Sequence, residues 1–136
     1  MAAAHASTAE EAERTVTALL VDPHEEFRAA ATALLARDDI AVTGAAGFDE
    51  AAPAGGDVDC VAVDPRGRDD VARAEWAGLG APVVVVTGAR IGDVPADVRS
   101  AAAAYVEKGR SSTFRRFAAT VRGVVRADRF PPDREP

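Results

Sequence analysis

Lys108 is the only lysine of the chain; the other fifteen of its sixteen basic residues are arginines. A guanidinium is a planar fork, whereas an ammonium is a compact point charge that can reach one oxygen of a phosphoryl group or carboxylate. Lys108 follows the apolar stretch AAAAYV. Three other reactive residues also close apolar runs: Asp22 after TVTALLV, Asp64 after VDCVAV and Thr87 after PVVVV. Two carboxylates, a hydroxyl and an ammonium suit phosphoryl chemistry. A carboxylate oxygen can attack phosphorus and form an acyl phosphate. The remaining demand is positioning and neutralisation of charge. A divalent cation would bridge the carboxylates and the phosphoryl oxygens. Lys108 would neutralise one phosphoryl oxygen, and Thr87 would hydrogen-bond another.

These residues need a sheet whose strands end on one edge. The chain supplies five apolar runs of strand length, at 15–21, 40–45, 58–63, 82–86 and 103–107. Four consecutive valines in the fourth imply burial on both faces, as in a central parallel strand. Helical patterns alternate with the strands. Residues 24–36 repeat Phe27, Ala31, Leu34 and Leu35 at helical spacing. Residues 48–52 supply one or two turns before Pro53, and residues 70–79 a short helix whose Trp76 packs on the sheet. A helix over 95–102 has proline in its first turn. The last, over 112–126, sets Phe114, Phe117, Ala118, Val121 and Val125 on one stripe, with Arg115, Arg122 and Arg126 on its solvated face. Five strand–helix units predict an α/β fold with a parallel sheet and helices on both faces. With strand order 2-1-3-4-5, Asp22, Asp64, Thr87 and Lys108 converge in the crevice outside the carboxyl ends of the strands. Residues 1–14 and 127–136 read as flexible tails around one domain at 15–126, with no room for a second.

Composition narrows the function classes. Forty-eight per cent of the residues are hydrophobic, many of them alanine, so small side chains build much of the core. The net charge of −6 argues against nucleic-acid binding by the domain as a whole. Cys60 is the single cysteine, which excludes an internal disulfide and suits a reducing cytosol. No zinc-ligand spacing occurs, and no apolar run is long enough to span a membrane. The acidic Glu10–Glu13 segment does not fit a signal peptide. The expected location is cytoplasmic.

The pieces LLVD-PHEEFRAAATALL, DVDCVAVD, VVVVTGAR and AAAAYVEKG, in this order and spacing, resemble a response-regulator receiver domain of the chemotaxis-regulator kind. The resemblance covers essentially 15–126. It implies a flavodoxin-like (βα)5 doubly wound sheet and a role in two-component signalling or a phosphorelay. It matches Asp64 to the phosphoacceptor, Thr87 to the switch hydroxyl, Tyr105 to the switch aromatic and Lys108 to the family's lysine. It matches Asp22 to the first of a pair of acids that, with Asp64, holds Mg2+. The second acid of that pair is here Pro23, which removes a direct metal ligand. Arg66 and Arg68 follow Asp64 closely, and Gly109 stands where the family carries a proline. These departures point to a degenerate receiver, or pseudo-receiver, with weakened or lost metal-assisted phosphorylation.

Each residue also has a plainer role. Asp22-Pro23-His24-Glu25 suits a helix start, with Asp22 as N-cap and Glu25 as its capping-box partner. Asp64-Pro65-Arg66-Gly67 suits a type I turn. Thr87 could end a strand and Tyr105 could pack in the core with its hydroxyl at the rim. His24 is expected to be exposed and without a catalytic role. The reading preferred is a stand-alone receiver-like module acting by protein–protein contact, in which Asp64 and Lys108 pair directly. It would not be an enzyme, beyond self-phosphorylation and dephosphorylation at Asp64. Its partners would be a sensor kinase or phosphotransfer protein, a downstream signalling protein, or a second copy of itself. One alternative is a working Mg2+-dependent phosphoreceiver in which Glu25 or Glu26 supplies the missing oxygen. The other is a small-molecule module on the same fold, for which no G-x-G-x-x-G or Walker-type motif is present.

Overall fold

Every backbone hydrogen bond of a central strand must be met by a neighbouring strand, and the five apolar runs meet this need together. A computed structural model of the chain describes residues 16–47, 58–65, 81–94 and 96–130. The strands are β1 (Val16–Val21), β2 (Ile40–Ala45), β3 (Cys60–Val63), β4 (Val83–Thr87) and β5 (Ala104–Glu107). They form one sheet in the order β2-β1-β3-β4-β5, and all four pairings are parallel. This is the flavodoxin-like order expected. Helix α1 (Glu25–Leu35) follows β1, α2 (Ala96–Ala101) precedes β5 and α3 (Thr113–Arg129) follows it. The expected helical turns at 48–52 and the helix at 70–79 with Trp76 lie outside the described residues, as does the tail at 1–14.

The alternation of the strands divides the core in two. Ala18, Leu20, Cys60, Ala62, Val84, Val86 and Val106 face α1 and α3, against Ala31, Leu35, Phe117, Val121 and Val125. Leu19, Val21, Val61, Val63, Val83 and Val85 face the other way, against Val94 and Val98. Residues 83–86 are buried throughout, as a strand covered on both faces requires. Cys60 is fully buried, and that burial pushes its thiol up to about 12.

Of the boundaries that differ from the sequence expectation, two change the role of particular side chains. Helix α1 begins at Glu25, with His24 in the N-cap position and no side-chain cap. Asp22 is therefore not the N-cap, and Glu25 closes no capping box with it. Proline restricts the backbone just before the helix, and Asp22 Oδ1 instead accepts the His24 N–H at 2.8 Å. Helix α3 runs three residues past 126 into the segment expected to be a tail. Arg129, in its last turn, pairs with Asp59 Oδ2 at 2.8 Å across the amino end of the sheet. The same carboxylate accepts the Thr17 N–H at 2.9 Å and the Thr17 hydroxyl at 3.1 Å. Burial raises the Asp59 carboxyl, but these hydrogen bonds and the guanidinium outweigh it and hold the group below its usual value.

Candidate functional site

Register brings three of the predicted residues to one place. Val21 of β1 is opposite Val63 of β3, so Asp22 and Asp64 leave the sheet side by side. The ladder continues through them: the Asp64 N–H donates to the Val21 carbonyl at 3.0 Å, and the Asp22 N–H to the Ala45 carbonyl at 2.9 Å. Lys108 follows β5, and its N–H donates to the Thr87 carbonyl at 2.7 Å. Asp22, Asp64 and Lys108 continue the alternation of Leu20, Ala62 and Val106, the face covered by α1 and α3.

On that face the Lys108 ammonium lies between the two carboxylates. Nζ is 2.6 Å from Asp22 Oδ2 and 2.8 Å from Asp64 Oδ2. Asp22 is fully buried, while the Asp64 and Lys108 side chains are 13% and 14% exposed. Asp22 Oδ2 accepts no aligned hydrogen bond, so its contact with the ammonium is ionic. The Phe27 ring lies 4.4 Å from the ammonium, close enough for attraction to the ring face. Phe27 in turn stacks on Phe114 of α3, with centroids 5.1 Å apart.

Several residues that sequence reasoning passed over build this arrangement. His24 is foremost. Its Nδ1 lies 2.7 Å from Asp22 Oδ1, 3.4 Å from Lys108 Nζ and 3.6 Å from Asp64 Oδ2, although the ring is 57% exposed. The Asp-Pro-His run was the available signal, because an Asp side chain readily accepts the N–H two residues on. Glu25 and Glu26, one of which would supply the missing oxygen in the alternative of a working phosphoreceiver, are exposed on the first turn of α1 and are not in this cluster. Arg28 Nη1 donates to the Asp22 carbonyl at 2.6 Å. A side chain at Gly44 would press on the Arg28 stem, with a Cβ 3.2 Å from its Cδ. Thr113 braces the loop that carries Lys108. Its buried hydroxyl donates to the Glu107 carbonyl at 3.0 Å and accepts the Arg110 N–H at 3.1 Å. Gly109 within that loop has φ 86°, the region that favours glycine.

Thr87 and Tyr105 are placed differently. They continue the opposite alternation, and Tyr105 packs with Val94 and Val98. The Tyr105 hydroxyl donates to the Val98 carbonyl at 3.0 Å, and burial raises that hydroxyl against the opposing influence of Arg99. The Thr87 hydroxyl accepts the Ala89 N–H at 3.1 Å. It makes no hydrogen bond to Asp64 or Lys108. Thr87 and Tyr105 line a cavity of about 210 Å³ with Ala89, Val106, Glu107 and Arg116.

The donors Asp22, His24 and Asp64 offer ligand atoms within 4.8 Å of one another and could hold a metal ion. The set matches Mg2+ poorly. Mg2+ takes oxygen ligands in near-octahedral geometry. Here the third donor is a nitrogen, and an ammonium already holds one oxygen of each carboxylate.

The fold is that of response-regulator receiver domains. A response regulator from Thermotoga maritima is similar over 82% of this chain and 98% of its own, with TM-score 0.69 and 21% identity. Another protein of that organism, a response regulator in complex with Mg(2+)-BeF, is similar over 81% of this chain and 99% of its own, with TM-score 0.64 and 19% identity. An orphan response regulator of H. pylori is similar over 83% and 98%, with TM-score 0.69 and 14% identity. At these identities the likeness is one of fold. No family model and no curated protein matches the sequence.

Proposed function

We propose that this chain is a receiver-like signalling module whose acidic site is closed by its own lysine. It acts through protein–protein contact, with phosphorylation of Asp64 weakened or absent. The observation that carries this reading is the Lys108 ammonium set between Asp22 and Asp64, 2.6 and 2.8 Å from their oxygens. That contact neutralises part of the charge a divalent cation would otherwise balance. Pro23 contributes no ligand oxygen from its side chain, and the Thr87 hydroxyl is engaged with its own turn. A phosphoryl group on Asp64 would have to compete for Lys108 and would lack the usual second acid. The partners are a sensor kinase or phosphotransfer protein, a downstream signalling protein, or a second copy of the chain, in the cytoplasm. Among the described residues no helix is long and apolar enough to cross a membrane.

Beryllofluoride, an acyl-phosphate mimic, tests this with Mg2+ and amide NMR. The expected result is no saturable change at Asp64, Thr87 or Lys108 up to millimolar Mg2+. Saturable shifts that need both ions would make the chain a working phosphoreceiver.

A further inference from the structure

We propose that Nε2 of His24 is a phosphoryl acceptor, held and activated by the buried Asp22 carboxylate, and that its donor carries the phosphoryl group on nitrogen. The inference rests on the reading above of this edge as the signalling site, and gives that site an input that bypasses Asp64. Asp22 Oδ1 meets His24 twice. The His24 N–H donates to it at 2.8 Å, and His24 Nδ1 lies 2.7 Å from it. An ionised carboxylate only accepts, so the ring nitrogen facing it is the one that carries the proton. The proton is therefore on Nδ1 and the lone pair on Nε2. Lys108 Nζ, at 3.4 Å from Nδ1, is beyond the usual hydrogen-bond range and does not compete with that contact.

Burial divides the pair into an anchor and an open end. Asp22 is fully buried, and the Asp64 N–H and its own N–H tie it into the sheet edge through the β1 ladder. The His24 side chain is 57% exposed. Two contacts to one fixed oxygen set the orientation of the ring. A buried carboxylate placed in this way holds an imidazole in one tautomer and stabilises the imidazolium that forms as it reacts. No hydroxyl or thiol stands between the ring and solvent among the contacts of His24. The imidazole is then the nucleophile itself, as histidine is in covalent catalysis.

Charge selects the donor. Asp64 Oδ2 is 3.6 Å from Nδ1, and Glu25 and Glu26 occupy the first turn of α1. Lys108 balances only one of the two carboxylates it touches. The excess of negative charge repels a wholly anionic donor such as acetyl phosphate. It favours a donor whose leaving nitrogen is protonated, the phosphoramidate class to which phosphohistidine belongs. The Nε2 lone pair forms the new N–P bond while the P–N bond of the donor breaks. The bonding pair leaves with the donor nitrogen, which keeps its proton and departs neutral. The positive charge passes to the ring, whose Nδ1–H faces Asp22.

Phosphoramidate and acetyl phosphate, each incubated with the full chain, test the assignment by 31P NMR and peptide mass spectrometry. His5, the only other histidine, is the internal reference. Phosphoramidate should modify His24 Nε2 on the order of tenfold faster than His5, and faster than acetyl phosphate does. The product should resist alkali and hydroxylamine and be lost in acid. His24→Ala, at an exposed position, should keep the far-UV spectrum and lose the fast phase. Asp22→Ala should slow His24 to the rate of His5. Equal rates at the two histidines, or an unmodified chain, would overturn the acceptor and leave the lysine-closed module standing. A folded Asp22→Ala variant that keeps the fast rate would overturn the pairing with Asp22. A hydroxylamine-labile group that survives His24→Ala and disappears in Asp64→Asn would overturn the acceptor and the lysine-closed module together.

Discussion

Replacing Lys108 by methionine keeps an apolar stem beside Phe27 and removes the charge between two carboxylates. Breaking a buried ion pair by deleting one partner costs about 3–5 kcal/mol, because a charge is left uncompensated. Here the figure is reduced on two counts. The Asp64 side chain is 13% exposed and can turn to water. Asp22 Oδ1 still accepts the His24 N–H at 2.8 Å. The ionic part is then about 2 kcal/mol, and loss of the ammonium over the Phe27 ring adds about 0.5–1 kcal/mol. The sum of about 3 kcal/mol is roughly a hundredfold change in the unfolding equilibrium. Urea unfolding followed by far-UV circular dichroism measures it. Adding Asp64→Asn to the variant should recover about 1 kcal/mol, since it removes one of two facing carboxylates, and such neighbours are not additive. A loss below about 0.5 kcal/mol is the behaviour of an exposed ion pair. That result, or strict additivity, would refute the claim that Lys108 closes the site.

Three further outcomes follow from the same structure. The Asp59 carboxyl is held below its usual value, so its stabilisation is complete above about pH 4 and is lost as pH falls through the lowered folded value. Asp59→Asn should therefore flatten the acid limb of stability below about pH 4, as measured by urea midpoints at successively lower pH. Cys60 should resist a thiol reagent at pH 8 in the native protein and react in urea, because burial disfavours the thiolate. Gly109→Ala should destabilise by about 1 kcal/mol, since its φ is 86° although no atom would crowd the added Cβ; an unchanged urea midpoint would show that the loop relaxes.

Fold and site were legible in the chain to different depths. The five strands show because each is an apolar run closed by a polar or turn residue, and the alternation of strand and helix implies a parallel sheet. Asp22, Asp64 and Lys108 were identifiable as edge residues because each directly follows such a run. Their meeting depends on register. Val21 opposite Val63 and the alternation through Val106 place all three on one face, and a slip of one residue would turn any of them away. The same alternation sends Tyr105 to the other face, which spacing along the chain alone does not reveal. His24 shows the limit most clearly. By type and position it reads as an exposed residue at a helix start, and it is largely exposed. It joins the site because Pro23 delays the helix and Asp22 accepts its N–H, a local turn that gains chemical meaning only once β3 and β5 bring Asp64 and Lys108 alongside. Sequence by itself determined which groups stand at the carboxyl edge. Tertiary structure decided which of them touch, because side chains more than forty residues apart meet only through the pairing of strands.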